Sequence, residues 1–424
     1  MKNTLHNCIR SIARLSKGLT FTVLVLVPAV AYPQSVYFGS QEVYIGNQVS
    51  IPGDVVNAGS VTIGNGALQF YGNEYRNEAT ASYNGTGYVV FNAPGSGTQS
   101  LFGGNISFRN LRISNANNVN LAGADDVGIT DTLELASGRL ILGGLNLSMG
   151  SNARFKGWNM DRYVVTNGTG VVRYNTVAAG TACFFPIGNS TGTDYSPAQV
   201  TNGSTVQTIN LRVQRVPGAG QTPDTAKGVR RVWNLWTNNG GGLNALMLYH
   251  HDSLSGSQYD AIQASVIRFV SPSWQSGPCP FSIDGLAGNG LLALSAHTTL
   301  LTNTSTTATG NAYYSKTSDL VLPALTPGTI TPVCQGTTAA SLPYTGPSGG
   351  VNQYRISWGA AASTAGFAPV SNSALPASPI SIPVPANVAA GSYNGTLIVR
   401  NSANNCEQSY PITVEVLAAP ALTP

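Results

Sequence analysis

Charged side chains are scarce in this sequence. They make up 9% of its 424 residues, against about 25% in an average soluble protein. Four of the 21 basic residues (Lys2, Arg10, Arg14 and Lys17) lie in the first 31 residues, which hold no acid. The other 17 balance the 17 acidic residues, and only Lys156, Lys227 and Lys316 among them are lysines. A neutral chain without basic clusters has no electrostatic footprint for nucleic acid or an anionic lipid surface, so neither is expected as a partner. Histidine is nearly missing: beyond the first segment there are only His250, His251 and His297. None of the 5 cysteines forms a CxxC pair, which argues against structural zinc. No long amphipathic helical pattern occurs. The one sizeable apolar run, Leu19 to Ala31, has 13 residues and is interrupted by Pro28. That is short of the roughly 20 needed to span a bilayer, so no membrane span is expected after export.

What is present points the same way. Hydrophobic content is 42% and glycine numbers 48, which suits a folded chain rich in turns and unlike a disordered one. The basic start, the short apolar run and the ending Ala29-Val30-Ala31 are the pattern of a signal peptide over residues 1–31. Cys8 precedes the run, so no lipoprotein acylation is expected there. An exported chain with an even number of remaining cysteines favours disulfides. The pairs expected are Cys334–Cys406 and Cys183–Cys279.

Residues 36–158 repeat. Val89 and Phe91 return as Leu111 and Ile113 after 22 residues, and as Leu133 and Leu135 after another 22. A second series runs Leu101, Leu121, Leu142, and a third Phe108, Ile129, Leu147. Three short alternating strands per turn of about 20 residues is the signature of a parallel β-solenoid, with Gly and Asn at corners that need positive φ. An antiparallel sandwich with coincidental spacing is the alternative. Alternation along the strands places Leu111, Leu133, Ile113 and Leu135 inward, and Arg112 and Glu134 toward solvent.

From about residue 159 to 300 the strands lengthen, from Tyr163–Val165 through Gly170–Tyr174 to Leu291–Ala296, as in a β-sandwich. Residues 301–328 read as a terminal strand and linker. Residues 329–418 have the size and alternation of an immunoglobulin-like sandwich. There Tyr393, opening the strand after Gly391-Ser392, is placed like the tyrosine of a tyrosine corner. The fold expected is therefore all-β: a parallel β-solenoid, a β-sandwich and a C-terminal immunoglobulin-like sandwich.

Several segments then carry a resemblance. GRLILGGLNLSM (138–149), RYVVTNGTGVVRY (162–174), FFPIGNSTGTDYSPAQVTN (184–202), VRRVWNLW (229–236), VCQG (333–336) and GSYNGTLIVRN (391–401) with Cys406 resemble modular surface proteins of the Bacteroidota. The resemblance implies a secreted, extracellular, repeat-built protein, commonly exported by the gliding-associated type IX pathway. The chain departs from the family at its end. It stops at APALTP, where such substrates carry a C-terminal sorting domain, so a fragment of a longer product or another export route is expected.

The sequence also offers chemical motifs. Gly188-Asn-Ser190-Thr-Gly192 matches the nucleophile elbow, but Pro197 and turn residues stand where that motif needs a helix. His250-His251-Asp252 looks like a metal cluster, but adjacent strand residues point to opposite faces. Asp125, Asp126, Asp131 and Glu134 could form a Ca²⁺ site or an acid pair. They fall within one coil and read as solvated turn carboxylates. Gly240-Gly241-Gly242 lacks the residues of a phosphate loop and reads as a hairpin turn. Trp158, Trp233, Trp236, Trp274 and Trp358 could line a sugar groove, although one of the Trp233/Trp236 pair is expected in the core. Thr132, Thr225 and Ser253 lie in Asp-Thr/Ser-x tripeptides similar to the O-glycosylation sequon of exported Bacteroidota proteins. These readings predict no catalytic residue, no cofactor and no metal. The function expected is a non-catalytic structural or adhesive protein of the cell surface. Surface glycans or other surface proteins are its expected partners, and the alternative is a polysaccharide-binding or polysaccharide-degrading protein.

Overall fold

The computed structural model describes residues 35–39, 42–92, 97–192, 194–203, 205–215, 224–238, 242–260, 264–270, 273–276, 294–300, 312–318, 322–403 and 406–419. The signal segment and Cys279 fall outside these residues. The chain is nearly all β, with a parallel β-solenoid of about seven turns at its N-terminal side and a sheet-rich C-terminal region.

The first three coils have three faces each. One face stacks Val36–Phe38, Val55–Asn57 and Glu74–Asn77 in parallel. The second stacks Val43–Ile45, Ser60–Ile63 and Ser82–Gly85, and the third Gln48–Ile51, Ala67–Phe70 and Tyr88–Phe91. In later coils the second and third faces fuse. Val127–Ser137 is long enough to pair with two strands of the next coil, Leu147–Met149 and Arg154–Lys156. Inward residues form the core because a single coil cannot bury them alone. The 22-residue series is the register itself: Val89 faces Leu111, Leu111 faces Leu133, and Phe91, Ile113 and Leu135 follow. Leu111, Ile113, Leu133 and Leu135 are all fully buried. The third series differs by two residues, for Phe108 faces Ile129 but Ile129 faces Met149, and Leu147 faces Val127.

Corners carry the conformations that the Gly and Asn content suggested. Gly138 has φ +74°, and a Cβ there would sit 1.9 Å from the Asn115 carbonyl oxygen, so any other residue would force the coils apart. Asn105 and Asn118 also have positive φ. Asparagines and aspartates clamp successive coils. Asn105 Nδ2 donates to Asp125 at 2.7 Å, and the Asn146 side chain and backbone N–H both donate to Asp126 at 2.8 Å. Val171 N then donates to Asn146 Oδ1 at 3.1 Å. On the outer face charges alternate in sign down the stack. Asp131 lies 3.8 Å from Arg109 and 3.5 Å from Arg154; Glu134 lies 2.8 Å from Arg112 and 4.0 Å from Lys156. Strands about 4.8 Å apart would set like charges against each other, and alternation removes that repulsion. Glu134 is accordingly half-buried within a ladder, not freely solvated as expected.

The stacking does not stop at Trp158. Val164–Val165 and Ile187–Gly188 extend the first face in parallel, and Val172–Val177 stacks in parallel on Leu147–Met149. The other edge of Val172–Val177 pairs antiparallel with Gln207–Gln214. That strand is the switch from solenoid to sandwich. One sheet of the sandwich continues through Val232–Thr237, Ala312–Thr317 and Ser265–Val270. The facing sheet holds Ala182–Phe185, Ala198–Asn202, Leu243–His251 and Leu294–Leu300. A single apolar core runs from Ile45 to Tyr314 across both parts.

The C-terminal module has its own core. Its larger sheet places Val333–Cys334, Cys406–Leu417, Gly391–Asn401, Gln353–Trp358 and Val370–Ala374 side by side. Ala324–Pro327 pairs with Tyr344–Ser348, and Leu325 packs in this core, so the module begins before residue 329. Tyr393 donates its hydroxyl to the Ala389 carbonyl at 2.8 Å, the bond that defines a tyrosine corner. The expected Cys334–Cys406 bridge is excluded. Cys334 lies opposite Leu417, at the far end of the strand that begins at Cys406. Eleven residues of strand separate the two positions, roughly 36 Å, whereas a disulfide needs Cα atoms within about 7 Å. Cys334 is an exposed free thiol and Cys183 a buried one, so the Cys183–Cys279 bridge is not formed either.

Burial leaves a pH signature. Desolvation pushes the Tyr163 hydroxyl and the Cys183 thiol each up to about 12, and raises Tyr75, Tyr83, Tyr174 and Tyr195 as well. The fold thus holds protons that the unfolded chain releases from the ordinary thiol and phenol values of 9.0 and 10.0 upward. Stability from these groups is fully present below about pH 9 and is lost as pH rises toward 12 and beyond. Urea midpoints measured from neutral to strongly alkaline pH should be flat, then fall across that window. A midpoint that held through it would contradict the buried, protonated assignment.

Candidate functional site

The switch strand builds a groove among the described residues. Between Tyr174 and Val177 its pairing with Gln207–Gln214 slips, and Thr176 takes φ +50°. A β-branched residue in the left-handed region is a genuine outlier. The strand leaves the coil stack there, turns through Gly180 at φ +72° and returns as Ala182–Phe185 in the facing sheet. A half-open cavity of about 520 Å³ remains between this hairpin and the corner of the preceding coil. Ser151, Asn152 and Arg154 line one side, and Thr176 and Thr181 the other. Trp158 lies at one end, half-buried, with its ring 4.4 Å from that of Phe184. Phe155, Tyr174 and Cys183 complete the lining.

The groove is nearly free of charge. Its one ionic side chain, Arg154, lies 3.5 Å from Asp131, which it shares with Arg109. No carboxylate lines it, and the Cys183 thiol is held protonated by burial. A protonated thiol is a poor nucleophile, and no carboxylate–histidine pair is found among the described lining residues. Of the groove's residues Trp158 and Cys183 stand out in the sequence, Cys183 only as an expected disulfide partner. The strain at Thr176 and the slip that opens the cavity have no sequence signal.

The other candidates make contacts within the fold. Ser190 donates to Asp194 at 2.8 Å, and Asp194 forms a buried ion pair with Arg231. Tyr163 donates its hydroxyl to the carbonyls of Ser190 and Gly192 at 2.6 and 2.9 Å. Ser190 thus belongs to a pinned loop, and the described histidines bond elsewhere: His250 with Ser255 and His251 with Ser253. His250 is buried and His251 half-exposed, on opposite faces of their strand. Asp125 and Asp126 clamp coils, while Asp131 and Glu134 sit in the charge ladders. Among the described residues no three His, Cys, Asp or Glu side chains converge on a metal-sized site. Val232–Thr237 and Leu243–His251, which flank the Gly240–Gly242 segment, belong to different sheets, so it connects sheets and is no hairpin; Gly240 and Gly241 lie outside the described residues. Trp233 is fully buried and donates to the Ser196 carbonyl at 2.9 Å, while Trp236 is half-exposed. Trp274 packs edge-on against Phe269, and Trp358 lies tilted against Phe367. Of the three sequon residues, Thr225 and Ser253 are exposed, but Thr132 is 1% exposed and has no room for a glycan in the folded coil.

No protein-family model matches this chain, and a search of curated proteins found none similar to it. Among the described residues no helix is long and apolar enough to cross a membrane.

Proposed function

We propose that this chain is an exported, non-catalytic protein of the cell surface, a β-solenoid stalk that stiffens and presents β-sandwich modules in attachment. The observation that carries this reading is the unbroken core from Ile45 to Tyr314. The solenoid passes its sheet into the sandwich through Val172–Val177 without an intervening linker. A stack whose units contact only their neighbours makes an extended body, and a shared core resists bending where a linker would allow it. The signal-like first segment and the resemblance to Bacteroidota surface proteins support the location. The structural employment of Ser190 and of the clustered acids supports the absence of catalysis. Polysaccharide binding is a second reading, favoured by the aromatic groove beside Trp158.

The test is made in the source cells. An epitope-tagged chain should be labelled and cleaved by protease on intact cells, and its deletion should reduce attachment. Confinement to the cytosol, or turnover of a polysaccharide by the purified chain, would overturn the proposal.

A further inference from the structure

We infer that the groove between the last coils and the first hairpin of the sandwich binds a neutral oligosaccharide, with Trp158 as its stacking platform. The inference rests on the reading of the chain as a non-catalytic binder and names its ligand class. The cavity, about 520 Å³, falls in the range of small-ligand sites, about 300–1,000 Å³. It is half-open, so an extended chain could pass along it.

The lining has the chemistry of a sugar site. A pyranose presents an apolar C–H face and a rim of hydroxyls. Here the rings of Trp158, Phe155 and Phe184 offer apolar faces, while Asn152, Thr176 and Thr181 offer donors and acceptors. Trp158 differs from Trp233 and Trp358 in its indole N–H, and Trp274 Nε1 likewise has no partner among the described residues. Trp233 donates to Ser196 and Trp358 to Ala368. Trp158 has no acceptor among the described residues. A tryptophan at a binding surface keeps an apolar body and a polar tip for the ligand, and Trp158 combines an unpaired N–H with a half-open groove.

Charge selects the ligand further. Arg154 shares the Asp131 carboxylate with Arg109, and no carboxylate lines the groove. A cationic ligand would find no anion, and an acidic chain only one arginine whose charge is already partly engaged. The strain at Thr176 (φ +50°) falls on the groove wall, and strained backbone of this kind clusters at ligand-binding positions.

The test titrates the full exported chain with cellohexaose, xylohexaose, mannohexaose and maltohexaose, with an oligogalacturonate as the acidic comparison. Calorimetry and tryptophan fluorescence are the readouts. At least one neutral hexasaccharide should bind with a change in tryptophan emission. Trp158→Ala should weaken it about tenfold or more, as for a central aromatic contact. Because that substitution uncovers Phe184, a second variant leaves the core untouched. Ser151→Trp, at an exposed lining position, should block binding with an unchanged melting temperature. Trp236→Ala, outside the groove, should leave affinity unchanged. Binding of only the acidic chain, binding unaffected by both groove variants, or no neutral saccharide bound would overturn the inference. Were attachment to persist with no saccharide bound, this inference would fall and the surface reading would stand; loss of surface location would sink the latter.

Discussion

Leu133→Asp is expected to cost on the order of 4 kcal/mol or more, because it puts an unpaired carboxylate into a column with no water and no partner. Leu133 is fully buried and lies in register with Leu111 on one coil and Phe155 on the next. The loss should also be local in character. Each coil is held chiefly by its neighbours, so breaking one layer uncouples the coils before it from those after it. Urea denaturation followed by circular dichroism should change from one transition to two. Glu134→Ala, one residue away, removes contacts to Arg112 and Lys156 on the outer face. It should cost only about 0.5–1 kcal/mol, as partly exposed ion pairs do. Equal sensitivity at the two positions would mean that the inward and outward columns are misassigned.

The contrast shows what in the solenoid was legible. A coil is a repeat, so spacing alone paired Leu111 with Leu133 and Leu101 with Leu121. Where two inward residues stand two apart, spacing cannot choose between them. Leu147 and Met149 are both fully buried, and the alternation fits either as the partner of Ile129. Strand direction is equally silent. Val164–Val165 and Val172–Val177 alternate as antiparallel sandwich strands would, yet both stack in parallel. The solenoid therefore reads shorter in the sequence than it is in the fold. The cysteine pairing failed for a related reason. An even count says nothing of distance, and Cys334 and Cys406 occupy opposite ends of the same sheet edge-to-strand pairing. The groove was half legible. Trp158 is a visible aromatic, but the cavity beside it needs residues 151–158 and 174–184 together. Only the slip between Tyr174 and Val177 brings them there.

Arg231→Ala should be the most damaging single change in the sandwich, at about 3–5 kcal/mol, because it strands the Asp194 carboxylate in the interior. Both partners are nearly inaccessible, with side chains 8% and 3% exposed. The pair also fixes the loop that carries the elbow-like sequence. Asp194 accepts the Ser190 hydroxyl at 2.8 Å, and Tyr163 from the preceding coil bonds the loop carbonyls. Arg139 lies over the Tyr163 ring, 4.7 Å from its centre. The loop is thereby tied to the coil stack on one side and to the sandwich on the other. Ser190→Ala removes one hydrogen bond to a charged group and should cost about 1.5–3 kcal/mol. A joint replacement, Arg231→Met with Asp194→Leu, removes both charges and should recover much of what Arg231→Ala loses, since the desolvation cost goes with them. Melting temperatures and urea midpoints of the three variants decide the matter. An Arg231→Ala protein as stable as the parent would show that the ion pair does not hold the loop. A double replacement no better than Arg231→Ala would show that the pair's hydrogen bonds, not its charge balance, are what the junction requires.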